Sequence, residues 1–158
     1  CHHGHLAGHQ WLQHLEKLVF IGTPHHGAPL ERGGNWLNFA MDMSPYSAPF
    51  TRLAKKRSAG ISDLRNGSVT GVGNGVVPLP AGVECYAMAA TLAKKPGRIH
   101  QRLIGDGLVP VDSALGNHRD PARTLEIPES HQWLGFETGH MALLGSEQVY
   151  GQLRNWLE

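Results

Sequence analysis

Two short stretches of the 158-residue chain carry residue types that could move a proton. In Ile104-Gly105-Asp106-Gly107-Leu108-Val109-Pro110 an aspartate stands between two glycines, and in Gly139-His140-Met141 a histidine follows a glycine. Each falls in a loop beyond a strand-like segment, Asp106 after the second such segment and His140 at the head of the last helical stretch. An acid and then a histidine, both beyond strands of a parallel sheet, is the placement expected for the second and third members of a hydrolytic triad. The carboxylate would hold the imidazole in one tautomer, and the imidazole would take the proton of a hydroxyl nucleophile. Taken alone, Asp106 also suits an ordinary turn, where aspartate satisfies backbone N–H groups. His131, nine positions before His140 and beside Trp133, is the competing base and is expected at a surface or strand edge.

The elements that must position these groups follow from the hydropathy pattern. Lys17 to Gly22 is a short apolar run stopped by Gly-Thr-Pro, the pattern of a buried strand entering a loop that extends to Asn35. Val83 to Leu92 is a second strand, rich in small and apolar residues, and Thr124 to Ile127 a weaker third. Apolar residues at helical spacing from Cys1 to Leu15 suggest the end of a helix, and those from Met141 to Leu157 a final amphipathic helix. A short helix is expected at Ile61 to Leu64, followed by a Gly-rich connector through Gly67, Gly71, Gly73 and Gly75. Strands alternating with helices and loops give an α/β class with a mostly parallel sheet, about three strands long here. Residues 36–53, with their apolar stretch Trp36 to Phe50, fit a lid or cap segment and a piece of core equally well.

Composition narrows the partners. Lys plus Arg number 14 against 13 for Asp plus Glu, with 41% apolar residues, so no surplus positive charge exists to neutralise nucleic-acid phosphates. No run of signal-peptide or membrane-spanning length occurs, and two cysteines, Cys1 and Cys85, make no disulfide framework. A cytoplasmic protein with no nucleic acid and no integral membrane segment is expected, its oligomeric state open. The opening at Cys1, inside a His-rich stretch, suggests a piece of a longer chain, which leaves a leader upstream an open alternative. His2, His5 and His9 lie at spacings that could share a helix face and offer a metal-binding alternative, against which no carboxylate or second cysteine completes the set. No metal and no cofactor is the expectation.

Three blocks in order, Phe20-Ile21-Gly22-Thr23-Pro24-His25-His26-Gly27-Ala28-Pro29, then Gly105-Asp106-Gly107-Leu108-Val109-Pro110 with Ser113-Ala114-Leu115-Gly116, then Gly139-His140 before Leu143-Leu144, resemble the carboxyl-terminal half of a lipase-like serine hydrolase of the α/β-hydrolase fold. They are similar to bacterial triacylglycerol lipases and to the GPI inositol-deacylase-like group, from about Leu15 to the end. The resemblance implies that Asp106 is the triad acid and His140 the base, acting on a small-molecule or lipid ester through an acyl-enzyme. His25 and His26, in the loop after the first strand, would lie where substrate passes. Triad order in this fold is Ser, acid, His, with the Ser in a Gly-x-Ser-x-Gly elbow before the Gly-Thr-Pro-His strand. These residues contain no such elbow; Ser58 and Ser62 come nearest, each one glycine short. The elbow and the oxyanion hole are therefore expected upstream, with residues 1–158 a partial domain that is inactive alone. Where related bacterial lipases hold calcium through an acid close behind the histidine, this chain has Met141-Ala142-Leu143. The alternative of another class is a non-catalytic α/β-hydrolase-like domain that binds a ligand or partner.

Overall fold

The computed structural model describes residues 1–27, 77–94 and 105–158. Residues 36–53, the Ile61 to Leu64 helix, the Gly-rich connector, Ser58 and Ser62, and the ends of two motif blocks (Ala28, Pro29 and Ile104) lie outside the described residues.

A three-stranded parallel sheet organises the described chain, with β1 (Lys17–Ile21), β2 (Glu84–Ala90) and β3 (Gln132–Gly135) side by side in that order. Phe20 faces Ala87 across the first pair, and Ala87 faces Gln132 across the second. The class is α/β. β2 lies between the other two, and all six residues after Glu84 are buried. Alternation sends Ala87 and Ala89 to one face, where they meet Val109, Val111 and Leu125, and Tyr86, Met88 and Ala90 to the other, against Leu143, Val149 and Trp156. A strand covered on both faces needs an unbroken apolar run with small members, and Cys-Tyr-Ala-Met-Ala-Ala supplies it.

Each face is roofed by short helices. α2 (Val111–Ala114) lies over the first and α3 (Glu147–Leu157) over the second. Ser146 caps α3, its side chain accepting from the Val149 N–H at 3.5 Å. At the other end, Lys17 Nζ donates to the Trp156 carbonyl at 2.7 Å, placing a cation at the negative end of the helix dipole and tying β1 to α3.

Three boundaries differ from the sequence expectation. The amino-terminal helix is two pieces, α1 (His2–Leu6) and a 3₁₀ turn Gln10–His14, because Gly8 at φ 66° breaks the helix between them. The expected strand at Thr124 to Ile127 contributes buried Leu125 and Ile127 to the core but joins no sheet. Its Ile127 N–H turns back to the Leu125 carbonyl at 2.8 Å, which removes a ladder donor, and the strand forms instead at Gln132–Gly135. The final helix is likewise interrupted. A 3₁₀ turn His140–Leu144 ends at Gly145, and α3 starts afresh after the Ser146 cap.

Candidate active site

Parallel strands deliver their carboxyl ends to one rim, and the loops leaving all three strands meet there. The loop after β2 is tied back to it by the Leu92 N–H, which donates to the Gly105 carbonyl at 2.9 Å. Gly105 (φ 53°) and Gly107 (φ 96°) both occupy the left-handed region, so the chain reverses tightly around Asp106. A β-carbon at position 105 would collide with the Val109 carbonyl, which makes glycine obligatory there. Within this turn Asp106 Oδ1 accepts from the Leu108 and Val109 N–H groups at 3.0 and 2.8 Å. The carboxylate is thereby fixed and buried, its side chain only 1% exposed.

Its other oxygen, Oδ2, lies 2.7 Å from His140 Nδ1. The backbones are joined as well, the His140 N–H donating to the Asp106 carbonyl at 3.0 Å. The loop that brings His140 here from β3 is stitched to the end of β2: the Thr91 N–H donates to the Gly135 carbonyl, and the Thr138 and Glu137 N–H groups donate to the Thr91 and Ala93 carbonyls. Glu137 takes φ 50°, the one non-glycine in the left-handed region among the described residues, three positions before His140. Such strain, of order 1 kcal/mol, persists where surrounding bonds over-determine the backbone. On its remaining side the imidazole rests on Gly22, just past β1, where a β-carbon would come within 3.1 Å of Cε1. All three strand ends thus converge on one ring.

The His140 side chain keeps 30% of its surface exposed. Nε2 makes no hydrogen bond among the described residues. The hydrogen bond that Nδ1 donates to Asp106 raises the affinity of the ring for a proton above that of an ordinary histidine, burial opposes this, and the negative charge of Asp106 adds to it. A buried carboxylate on Nδ1 of a partly exposed imidazole is an arrangement able to accept and return a proton at Nε2.

The other predicted residues stand elsewhere. His25 sits edge-on to Phe20, ring centres 4.6 Å apart, with Nε2 buried and unpartnered. Burial, and then the neighbouring His26, push its pKa down to about 4. His26 is held by α2 and the turn after it: its N–H donates to Ser113 Oγ at 3.1 Å and its Nε2 to the Gly116 carbonyl at 3.0 Å. Ser113 Oγ in turn donates to the Gly27 carbonyl at 2.9 Å. The His26 ring is thus engaged in fixing this loop, and neither histidine bonds to Asp106 or His140. His131 lies at the opposite end of the sheet, Nδ1 3.2 Å from the Cys85 carbonyl and the ring stacked on Tyr86 at 4.2 Å. In the amino-terminal stretch α1 ends before His9, so His5 and His9 do not share a helix, and no three His, Cys, Asp or Glu among the described residues are grouped to hold a metal.

Sequence reasoning missed the apolar rim of the site. Leu92, 52% exposed, packs over Gly107 and Gly139, while Met141 and Leu144 follow His140 on the surface. No periodicity distinguishes such residues from core; only their exposure does. Among the described residues no helix is long and apolar enough to cross a membrane. Comparison with known proteins brings no match for this chain, neither to a family model, nor to a curated protein, nor to a solved structure.

Proposed function

We propose that the complete protein is a serine ester hydrolase of the α/β-hydrolase type, in which Asp106 orients His140 and His140 activates a serine carried on an elbow outside these residues. The observation that carries this reading is the 2.7 Å contact between a buried carboxylate and a half-open imidazole at the carboxyl rim of a parallel sheet. In the reaction His140 Nε2 takes the serine proton as Oγ attacks the ester carbonyl, then returns it to the departing alkoxide. A second round with water frees the acid. Throughout, Asp106 stays ionised and offsets the imidazolium charge.

Two further features support it. Among the described residues β1 pairs only with β2, leaving an outer edge on which Leu18, Val19, Phe20 and Ile21 are all partly exposed. An elbow strand laid parallel on that edge would end near Gly22, against which His140 rests. The exposed Leu92, Met141 and Leu144 suit a hydrophobic acyl group. The test is turnover of p-nitrophenyl esters by the complete protein together with stoichiometric labelling of one serine by a fluorophosphonate. A folded complete protein that neither turns over esters nor takes up the reagent would refute the proposal.

A further inference from the structure

A second set of polar groups, outside the Asp106–His140 pair, gathers where the loop after α2 closes on itself. The Leu125 N–H donates to the Gly116 carbonyl at 2.8 Å, and His26 Nε2 donates to that same oxygen. Within the loop the His118 N–H donates to Thr124 Oγ1 at 3.1 Å, and Oγ1 donates back to the His118 carbonyl at 3.2 Å. Arg123 immediately precedes Thr124 in this loop and its charge acts on His26, and the His118 ring lies 4.9 Å from that of His26. The Asp120 N–H donates to His118 Nδ1 at 3.0 Å, which leaves Nε2 of that ring to carry the proton and to donate.

Arg123 is the exceptional member. Its Nε is buried with no hydrogen-bond partner. The carboxylate of its own loop, Asp120, is occupied in capping the next turn, Oδ1 accepting from the Ala122 N–H at 3.0 Å, and forms no ion pair with Arg123. A buried guanidinium N–H without an acceptor is costly, and native structures meet that demand with a water or an anion. Burial lowers the proton affinity of His26, its bond to Gly116 offsets part of this, and the charges of His118 and then Arg123 lower it further. The permanent positive charge of the cluster is the Arg123 guanidinium, and such a charge attracts an anion.

We propose that Arg123, His118 and His26 form a binding site for a phosphate-class oxyanion. The guanidinium supplies permanent charge and a planar fork, His118 Nε2 a directed donor, and the His26 ring the third wall. Four residues at most about 3.6 Å apiece separate Gly22 from His26, so the site stands within roughly 15 Å along the chain of the glycine that supports His140. An oxyanion held there could be a free anion or a phosphate several bonds from the ester of a substrate. The site itself stands apart from the hydrolase reading, since its binding arm needs no turnover.

The test has two arms on the complete protein. Inorganic phosphate is titrated while the imidazole resonances of His26 and His118 are followed by NMR, in the wild type and in Arg123→Gln. Saturable shifts of both rings, with affinity at least about tenfold weaker in the variant, are expected from losing a charge-assisted contact. No saturable shift in the wild type, which requires no variant to fold, overturns the proposal, as does equal affinity in a folded Arg123→Gln. The second arm compares KM for a neutral ester and its phosphate-bearing counterpart. A lower KM for the latter, lost in Arg123→Gln, assigns the oxyanion to the substrate. Equal KM values beside saturable phosphate binding assign the site to a free anion.

Discussion

Replacing Asp106 by Asn tests the role of the carboxylate with almost no change of shape. Oδ1 of the native residue accepts from two backbone N–H groups, at 3.0 and 2.8 Å, and Oδ2 faces His140 Nδ1 at 2.7 Å. An asparagine must keep its carbonyl oxygen on those two donors. Turning the amide over would set its NH2 against both and cost about 2–4 kcal/mol, so the flipped form is populated to roughly a few per cent at most. The amide NH2 therefore points at Nδ1 and forces that nitrogen to accept, which moves the imidazole proton to Nε2. A ring protonated at Nε2 cannot take a proton from serine. The expected loss in kcat/KM for a p-nitrophenyl ester is roughly 10⁴-fold, equivalent to about 5.5 kcal/mol of transition-state stabilisation. The pH profile adds an independent reading. In the wild type the acid limb is expected above the ordinary histidine value of 6.5, because the hydrogen bond to Asp106 and its charge together outweigh burial. With both removed, only burial remains and the limb moves down. A folded Asp106→Asn protein within tenfold of wild-type turnover, or one whose imidazole ¹⁵N spectrum still places the proton on Nδ1, would refute the reasoning.

The two histidines flanking β3 should part company. His140→Ala is expected to abolish ester turnover by several orders of magnitude, and His131→Ala, at the far end of the sheet, to leave kcat/KM within a few-fold; equal losses would reassign the base. Gly22→Ala, with φ 57° and a β-carbon 3.1 Å from His140 Cε1, should lower kcat more than it raises KM, read from steady-state kinetics in a variant whose melting temperature shows it folded. Gly105→Ala should unfold the Asp106 turn and lower the melting temperature, because its β-carbon meets backbone rather than a yielding side chain. His25, with its pKa lowered to about 4, favours the folded state fully above its unfolded value of 6.5, and that contribution is lost as pH falls between the two. Discounted for its residual exposure, the loss is about 2 kcal/mol and should be absent in His25→Phe, checked by urea unfolding at either end of that range.

What was legible in the sequence follows from how local each signal is. β1 and β2 declared themselves because a run such as Cys-Tyr-Ala-Met-Ala-Ala has few other places to go than a strand covered on both sides. The Asp106 turn was legible because two glycines bracketing an acid specify a reversal, and the glycines do take positive φ. β3 was not, since Gln-Trp-Leu-Gly is four residues long without a β-branched member, whereas Thr124 to Ile127 has the composition of a strand and lacks only a neighbour. His140 could be placed beyond a strand, but its contacts with Asp106 and Gly22 join residues 34 and more than 100 positions apart, and no local pattern encodes them. The packing of His25 and His26 was illegible for the same reason. Their partners, Phe20, Ser113 and Gly116, become visible only once α2 is laid over the first face of the sheet.

A His–Asp contact can also be a structural staple, and pH separates the two roles. Because Asp106 raises the proton affinity of His140 in the folded state, their interaction favours folding fully below the unfolded value of 6.5. It fades as pH rises through the higher folded value. A staple of this kind is weakest in neutral to alkaline solution, whereas a base is ready there, its ring neutral and its Nε2 lone pair free. Folding is already secured around the pair by bonds that do not titrate near neutrality: two N–H groups on Oδ1, the His140 N–H on the Asp106 carbonyl, and three backbone bonds binding the β3 loop to the end of β2. The turn that holds Asp106 is therefore not built by the ion pair alone, and the His140 side chain keeps 30% of its surface exposed. If His140 is only structural, His140→Phe should cost stability and leave ester turnover intact; the geometry predicts turnover lost by several orders of magnitude, read from steady-state kinetics in a variant whose melting temperature shows it folded.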